Sequence, residues 1–248
     1  MPMRNFCLMF LFCFQAVTLA QLQELPEPLL HFPLNEGSFE ALRGLGLEQP
    51  PKVHNQEYLK WAEGPAGKAL SFENDGEEQN RGMISCRLPP SFDVKSPFSV
   101  VAFIKTPPDL HRSRQYEIVN FADMSSSKGP GFRLTVSWRR LWFGLGDGEQ
   151  QCTASSKTSV LGIDPQQWYH VAAVYDGQGN ARVYLNGCLQ GGAEGVQVKM
   201  PEKRKLELRI GASAERGSGY GFEGCISALR IYGQALSAEQ IAALAQME

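Results

Sequence analysis

From residue 29 almost to its end the chain is cut into short apolar runs by turn residues, a pattern that leaves few options other than stacked β-strands. The runs are Leu29 to Leu34, Ala69 to Phe72, Gly82 to Leu88, Phe98 to Lys105, Tyr116 to Phe121, Phe132 to Trp138 and Leu141 to Leu145. They continue with Gln151 to Ser156, Trp168 to Tyr175, Ala181 to Asn186, Glu207 to Ile210 and Cys225 to Tyr232. Between them stand Asn74-Asp75-Gly76, Gly129-Pro130-Gly131, Asp147-Gly148, Asp176-Gly177 and Asn186-Gly187, all turn chemistry. Phe132 to Trp138 alternates apolar and polar, as a strand with one buried face does. Trp168 to Tyr175 is apolar on both faces and belongs at the centre of a sheet covered on each side. Only Ser237 to Leu244 reads as helix, with Ser237 as N-cap and Gln240 completing a capping box. The expected class is an all-β sandwich of two antiparallel sheets with one short C-terminal helix.

The first residues differ from this pattern. Arg4 is the only charge before residue 20 and Phe6 to Leu19 is almost wholly apolar, as in a secretory signal, with cleavage expected near Gln21. Residues 1–20 are thus expected to be a signal peptide and 21–28 a Pro-rich lead-in, with one domain over 29–248 and no membrane span after signal removal. The protein is expected to be secreted, extracellular or periplasmic. Export would leave Cys86, Cys152, Cys188 and Cys225, an even number in an oxidising compartment, so two disulfides are expected among three possible pairings. The absence of Cys-x-x-Cys and His-x-x-x-His argues against zinc. With 24 basic and 26 acidic residues and no long charged run, the chain lacks the field that would hold a nucleic acid.

The ordered motifs resemble the laminin G-like jelly-roll domains, a branch of the concanavalin A-like lectin/glucanase sandwiches. Leu30-His-Phe-Pro-Leu-Asn-Glu-Gly37, Gly67-Lys-Ala-Leu-Ser-Phe72 and Ser96 to Lys105 are similar to that family's early strands, with Phe103 where Trp is common. Then follow Trp168-Tyr-His-Val-Ala172, Tyr175-Asp-Gly177, Val183-Tyr-Leu-Asn-Gly187, Phe222-Glu-Gly-Cys-Ile226, Ile231-Tyr232 and Ala235-Leu-Ser237, densest over 96–246. Trp168 and Tyr184 are expected in the sandwich core. Asn186 stands where the family often has Asp. The resemblance implies a recognition module that binds carbohydrate or an extracellular protein, or else a divergent polysaccharide-degrading hydrolase or lyase. It also implies Cys225 as a disulfide cysteine and makes Ca²⁺ the cofactor to consider, for which Asn74 and Asp75, with Glu77 and Glu78, offer hard oxygens.

Catalysis has little support in the chain. The acidic clusters, Glu73 to Glu78 and Glu239, fall in an expected turn and on the helix, where solvated charge is the ordinary role. No Gly-x-Ser-x-Gly elbow occurs, and His170, within an apolar strand, reads as a hydrogen-bonded core residue. A binding site is better placed on the hairpin Phe132 to Leu145. Centring its turn on Arg139-Arg140 sets Ser137 opposite Trp142 and Thr135 opposite Gly144, with Leu134, Val136, Trp138, Leu141, Phe143 and Leu145 facing the core. Trp142 then lies on the other face among Arg133, Thr135 and Ser137, the face that is concave in the resembled family, as a stacking platform for a sugar ring would.

Overall fold

The structure is a computed structural model that describes residues 25–75, 81–111, 114–123, 128–156, 162–200, 207–213 and 220–247. The expected signal peptide, the first half of the lead-in, and Glu77 and Glu78 lie outside these. In chain order the strands are β1 (Leu30–Phe32), β2 (Lys52–His54), β3 (Leu59–Gly64), β4 (Gly67–Glu73), β5 (Met83–Arg87), β6 (Phe98–Lys105), β7 (Tyr116–Ala122) and β8 (Gly131–Ser137). They continue with β9 (Arg140–Gly146), β10 (Gln151–Ser155), β11 (Trp168–Tyr175), β12 (Ala181–Leu185), β13 (Cys188–Ala193), β14 (Glu207–Ile210) and β15 (Glu223–Tyr232). One α-helix follows, α1 (Ala238–Leu244), with the Ser237–Gln240 capping box formed from both sides. Among the described residues no helix is long and apolar enough to cross a membrane.

Two antiparallel sheets result. One runs β13-β12-β11-β6-β15-β4-β3, with β1 also on β15, and the other runs β10-β9-β8-β7-β14-β5-β2. Between them lies an aromatic core around Phe98, whose ring centroid is 4.8 Å from Phe132, 5.5 Å from Phe92 and Tyr175, and 6.0 Å from Phe143. A second core lies on the outer side of the eight-stranded sheet, where Leu236, Ile241 and Leu244 cover Val101, Ala172, Val174, Tyr184 and Tyr232. This explains why β11 is apolar on both faces: one face meets the other sheet and the opposite face meets the helix. It also corrects the placement of two residues. Tyr184 sits under the helix rather than between the sheets, and Trp168 is half-exposed with the Lys105 ammonium 5.4 Å from its ring.

The tight turns behave as their residues require. Gly177 and Gly187 have φ of 76° and 79°, and Asn186 at φ 47° accepts the His170 N–H through its side-chain oxygen at 2.9 Å. Asn186 thus latches the β12–β13 turn onto β11. His170 itself is fully buried against Phe103, at 5.1 Å between centroids, and neither ring nitrogen has a hydrogen-bond partner, unlike the bonded core histidine expected. Burial first, and the nearby Arg230 charge second, lower its pKa to about 3.

The expected disulfides are not formed: Cys86, Cys152, Cys188 and Cys225 are all thiols. The topology separates them. Cys86 and Cys152 face the core from strands five places apart in one sheet, about 24 Å, whereas a disulfide needs Cα atoms within about 7 Å. Cys225 and Cys188 are four strands apart in the other sheet, about 19 Å, and Cys225 alternates with core-facing Ile226 so that it points away from Cys86. Cys152 and Cys188 lie on adjoining sheet edges, but the Cys152 thiol bonds the Val196 backbone while Ser155 meets Gly191. Those strands therefore run antiparallel and carry Cys188 about 20 Å away. Burial raises the pKa of Cys86, Cys152 and Cys225, in Cys86 to about 12 with help from Glu207.

Candidate binding face of the seven-stranded sheet

Strands β8 and β9 form the expected hairpin, with its turn one residue earlier, which shifts the cross-strand pairing by two. Trp138 and Arg139 occupy the turn at φ 54° and 60°, so Thr135 faces Trp142 and Arg133 faces Gly144. Both turn residues carry side chains in the left-handed region, which glycine or asparagine would fill at lower cost. The conformation is held from the 162–164 segment: Ile163 donates its N–H to the Arg139 carbonyl at 2.9 Å, and Arg139 pairs with Asp164. Because the shift is by two, the side chains keep their faces. Leu134, Val136, Leu141, Phe143 and Leu145 are in the core as expected, but Trp138 is 57% exposed at the hairpin tip.

Trp142 lies on the outer face of the sheet and is partly exposed. Its indole N–H donates to the Ser137 carbonyl at 3.1 Å, which fixes the ring against the strand end. Ser155 on β10 and Thr135 on β8 flank it across the ladder. Arg133 lies over Gly144, where a Cβ would stand 3.2 Å from Nε and 3.3 Å from Cγ. The Arg133 guanidinium reaches Gln115 at 3.2 Å and the buried Glu117 carboxylate at 3.7 Å. The four residues expected together are therefore together, but Thr135 and Ser137 are buried, and only Trp142 and Arg133 present surface to a ligand. Ser137 spends its hydroxyl on the Arg114 carbonyl at 3.4 Å.

Sequence reasoning missed how far this polar face extends. A single register row crosses all seven strands: Thr153, Gly144, Arg133, Asn120, Arg209, Ser85 and Lys52. At the β2 end the row opens into a cleft of about 320 Å³ walled by Glu48, Pro50, Arg87, Pro89 and Glu207. His54 turns back onto the row, its Nε2 2.8 Å from the Ser85 hydroxyl.

The calcium ligands expected at Asn74 and Asp75 are placed differently. Asn74 is fully buried; its side-chain oxygen accepts the Gly82 N–H at 2.7 Å, and its amide donates to the Gly82 and Gly211 carbonyls at 3.2 and 3.0 Å. It ties the end of β4 to β14 through these three bonds. Asp75 is exposed beside it. Among the described residues no group of three or more His, Cys, Asp or Glu could hold a metal ion. Glu73, Asp75 and Glu78 have the Glu-x-Asp-x-x-Glu spacing that glycoside hydrolases of this fold place along one strand. Here β4 ends at Glu73, whose carboxylate pairs with Lys60 at 2.6 Å on the outer side of the other sheet, so Asp75 lies beyond the strand, and Glu78 lies outside the described residues.

The family model described as concanavalin A-like lectin/glucanases superfamily, in its laminin G form, matches residues 80–242. No curated protein matches the chain by sequence. Among solved structures, the botulinum neurotoxin type G receptor binding domain superposes with a TM-score of 0.65 at 14% identity, over 90% of this chain and 51% of that one. The binding domain of Paraclostridial Mosquitocidal Protein 1 gives 0.64 at 13%, over 88% and 51%. The binding domain of botulinum neurotoxin DC in complex with rat synaptotagmin II gives 0.65 at 14%, again over 88% and 51%. The chain thus spans about half the length of these structures, and at such identities the likeness is one of fold. Motifs, sheet topology and the match over two thirds of its length agree: the chain is a laminin G-like member of the concanavalin A-like lectin/glucanases superfamily.

Proposed function

We propose that the protein is an exported recognition module without catalytic activity, and that it binds carbohydrate on the outer face of its seven-stranded sheet. The observation that carries this reading is Trp142: a large aromatic ring partly open to solvent, fixed by its own indole hydrogen bond and bordered by Ser155, Thr153, Gly144 and Arg133. A sugar ring stacks its C–H face on such an indole while its hydroxyls bond neighbouring polar groups. Small residues on either side leave room for that approach. The apolar character of residues 6–19 supports export.

A protein partner is the second reading. The structural neighbours include a receptor binding domain and a binding domain in complex with rat synaptotagmin II, and Trp138 at the hairpin tip is the kind of exposed aromatic that anchors a protein interface. Titration calorimetry against a panel of soluble polysaccharides, with wild type and Trp142→Ala, tests the first reading. Binding that the substitution weakens by about ten-fold or more supports a stacking platform. Reducing-sugar release by the wild type would overturn the non-catalytic reading, and binding undisturbed by Trp142→Ala would move the site elsewhere.

A further inference from the structure

The outer side of the eight-stranded sheet, away from the proposed ligand face, brings three basic side chains into adjoining rows. His170 on β11 stands opposite Phe103 on β6; in the next row Val101 on β6 stands opposite Arg230 on β15, and Arg230 stands opposite His31 on β1. Strand alternation turns all of these side chains outward, because their chain neighbours Val171, Ala102, Ile231 and Leu30 face the core. His170 is buried, and neither of its ring nitrogens has a hydrogen-bond partner. Its backbone is fixed to Asn186 by two bonds, so the ring stays where β11 puts it.

The helix α1 closes this side. Gly187, next to Asn186, lies against its last turn, where a Cβ would stand 3.0 Å from the Ala242 Cα and 3.5 Å from the Ala245 Cβ. Leu236, Ile241 and Leu244 seat the helix on Val101, Ala172, Val174, Tyr184 and Tyr232, and Leu25 of the lead-in packs on the same cluster. A helix of seven residues is marginal on its own and depends on that packing. The other charges on these elements are Lys105 on β6, Arg182 on β12, Glu27 in the lead-in and Glu239 at the start of α1. Glu27 bears on Tyr232 and Glu239 on Tyr184, whereas the charge that bears on His170 and on His31 is Arg230. Burial pushes up Tyr184, Tyr232 and Cys225, which stay neutral in acid.

We propose that His170, His31 and Arg230 form an acid-triggered release: protonation of the two imidazoles beside the guanidinium frees α1 and the lead-in from the outer side of the sheet, while the sandwich stays folded. An imidazolium at the closed His170 position would lie without an acceptor near a fixed positive charge. The proton is therefore taken up only when the ring reaches water, and opening α1 supplies that water. Burial first, and Arg230 second, hold His170 at about 3 in the closed form against 6.5 once hydrated, so release is suppressed above pH 6.5 and favoured progressively below it. At pH 5 this group alone raises the opening equilibrium about 30-fold. His31, half-buried and lowered to about 4, acts in the same direction. Release uncovers Val101, Ala172, Val174 and Tyr184, an apolar strip that is closed at neutral pH. None of this depends on the carbohydrate reading.

Hydrogen exchange read by mass spectrometry on the full chain at pH 7 and pH 5, corrected for the intrinsic exchange rate at each, tests this. Protection of the α1 amides should fall by about 30-fold or more, while that of β6 and β11 is unchanged. His170→Leu, which keeps the site apolar, should remove most of the fall. His31→Gln, at a half-buried position, should reduce it and gives the same answer if the first variant does not fold. Glu239→Gln should leave the fall as it is, because hydrogen bonds from its own N–H and from Ser237 hold that carboxyl low and ionised at both pH values. Equal protection of α1 at both pH values, a fall that survives both histidine substitutions, a fall abolished by Glu239→Gln, or a loss of protection across β6, β11 and α1 together overturns the release.

Discussion

Asn74→Ala separates two roles that one side chain can have, a structural tie and a metal ligand. In the structure Asn74 is fully buried and makes three hydrogen bonds, to the Gly82 N–H, the Gly82 carbonyl and the Gly211 carbonyl. Alanine removes all three. The Gly211 carbonyl keeps a second partner, the Phe222 N–H at 2.7 Å, so its loss is slight. The buried Gly82 N–H loses a short bond and its carbonyl a longer one, together about 2–3 kcal/mol at about 1–1.5 kcal/mol for each bond. For a domain of this size that lowers Tm by about 4–12 °C. The assay is thermal and urea unfolding of wild type and variant, each in EDTA and in millimolar Ca²⁺. The loss should be the same in both solutions. A variant that melts like wild type in EDTA and differs only when Ca²⁺ is present would refute the structural tie and restore Asn74 as a ligand.

Other expectations follow from particular groups. Cys86, held near pKa 12 by burial, should resist iodoacetamide at neutral pH in the folded protein and react once it is unfolded; thiol counting without reductant should find Cys86, Cys152, Cys188 and Cys225 all reduced, and two disulfides would contradict the topology. His170 titrates near 6.5 when unfolded but only near 3 when folded, so its contribution to stability is intact above pH 6.5 and falls below it, by about 2 kcal/mol at pH 5; His170→Leu should reduce the acid slope, with His31, lowered to about 4 by burial and then by Arg230, keeping the remainder, and an unchanged slope would place its cause elsewhere. Trp142→Ala, at a partly exposed ring, should cost about 1–2 kcal/mol in urea unfolding, below the ~3–5 kcal/mol of a fully buried aromatic. Gly144→Val should displace Arg133 and weaken ligand binding while changing stability by under about 1 kcal/mol.

Most of the sandwich was legible because local pattern decides it. Each of the twelve apolar runs became a strand, and the capping box marked the helix start. The strands missed were β2, β3 and β13, whose sequences Lys-Val-His, Leu-Lys-Trp-Ala-Glu-Gly and Cys-Leu-Gln-Gly-Gly-Ala are charged or glycine-rich edge strands without an apolar run. The hairpin turn was misplaced because Trp138 and Arg139 are not turn formers, and only contacts from residues 162–164 hold them there. Trp142 still faced outward, since a shift of two preserves the alternation. The burial of Thr135 and Ser137 was not legible, because the exposure of an outer face depends on what crosses it. Cysteine parity suggested disulfides, but pairing depends on which strands become neighbours. The row joining Asn120 to Arg209 depends on the same non-local pairing of β7 with β14.

The account places ligand binding on one face of one sheet, and the four tryptophans report on different parts of the molecule. Trp142 lies on the proposed face, Trp138 at the hairpin tip, Trp168 on the outer side of the other sheet, and Trp61 against Phe39 at 5.6 Å. Fluorine NMR of the protein labelled with 5-fluorotryptophan, each resonance assigned by substitution, gives one signal per site. On adding a bound oligosaccharide, the Trp142 signal should shift while those of Trp168 and Trp61 stay in place. A shift at Trp168 with Trp142 unmoved would contradict the account.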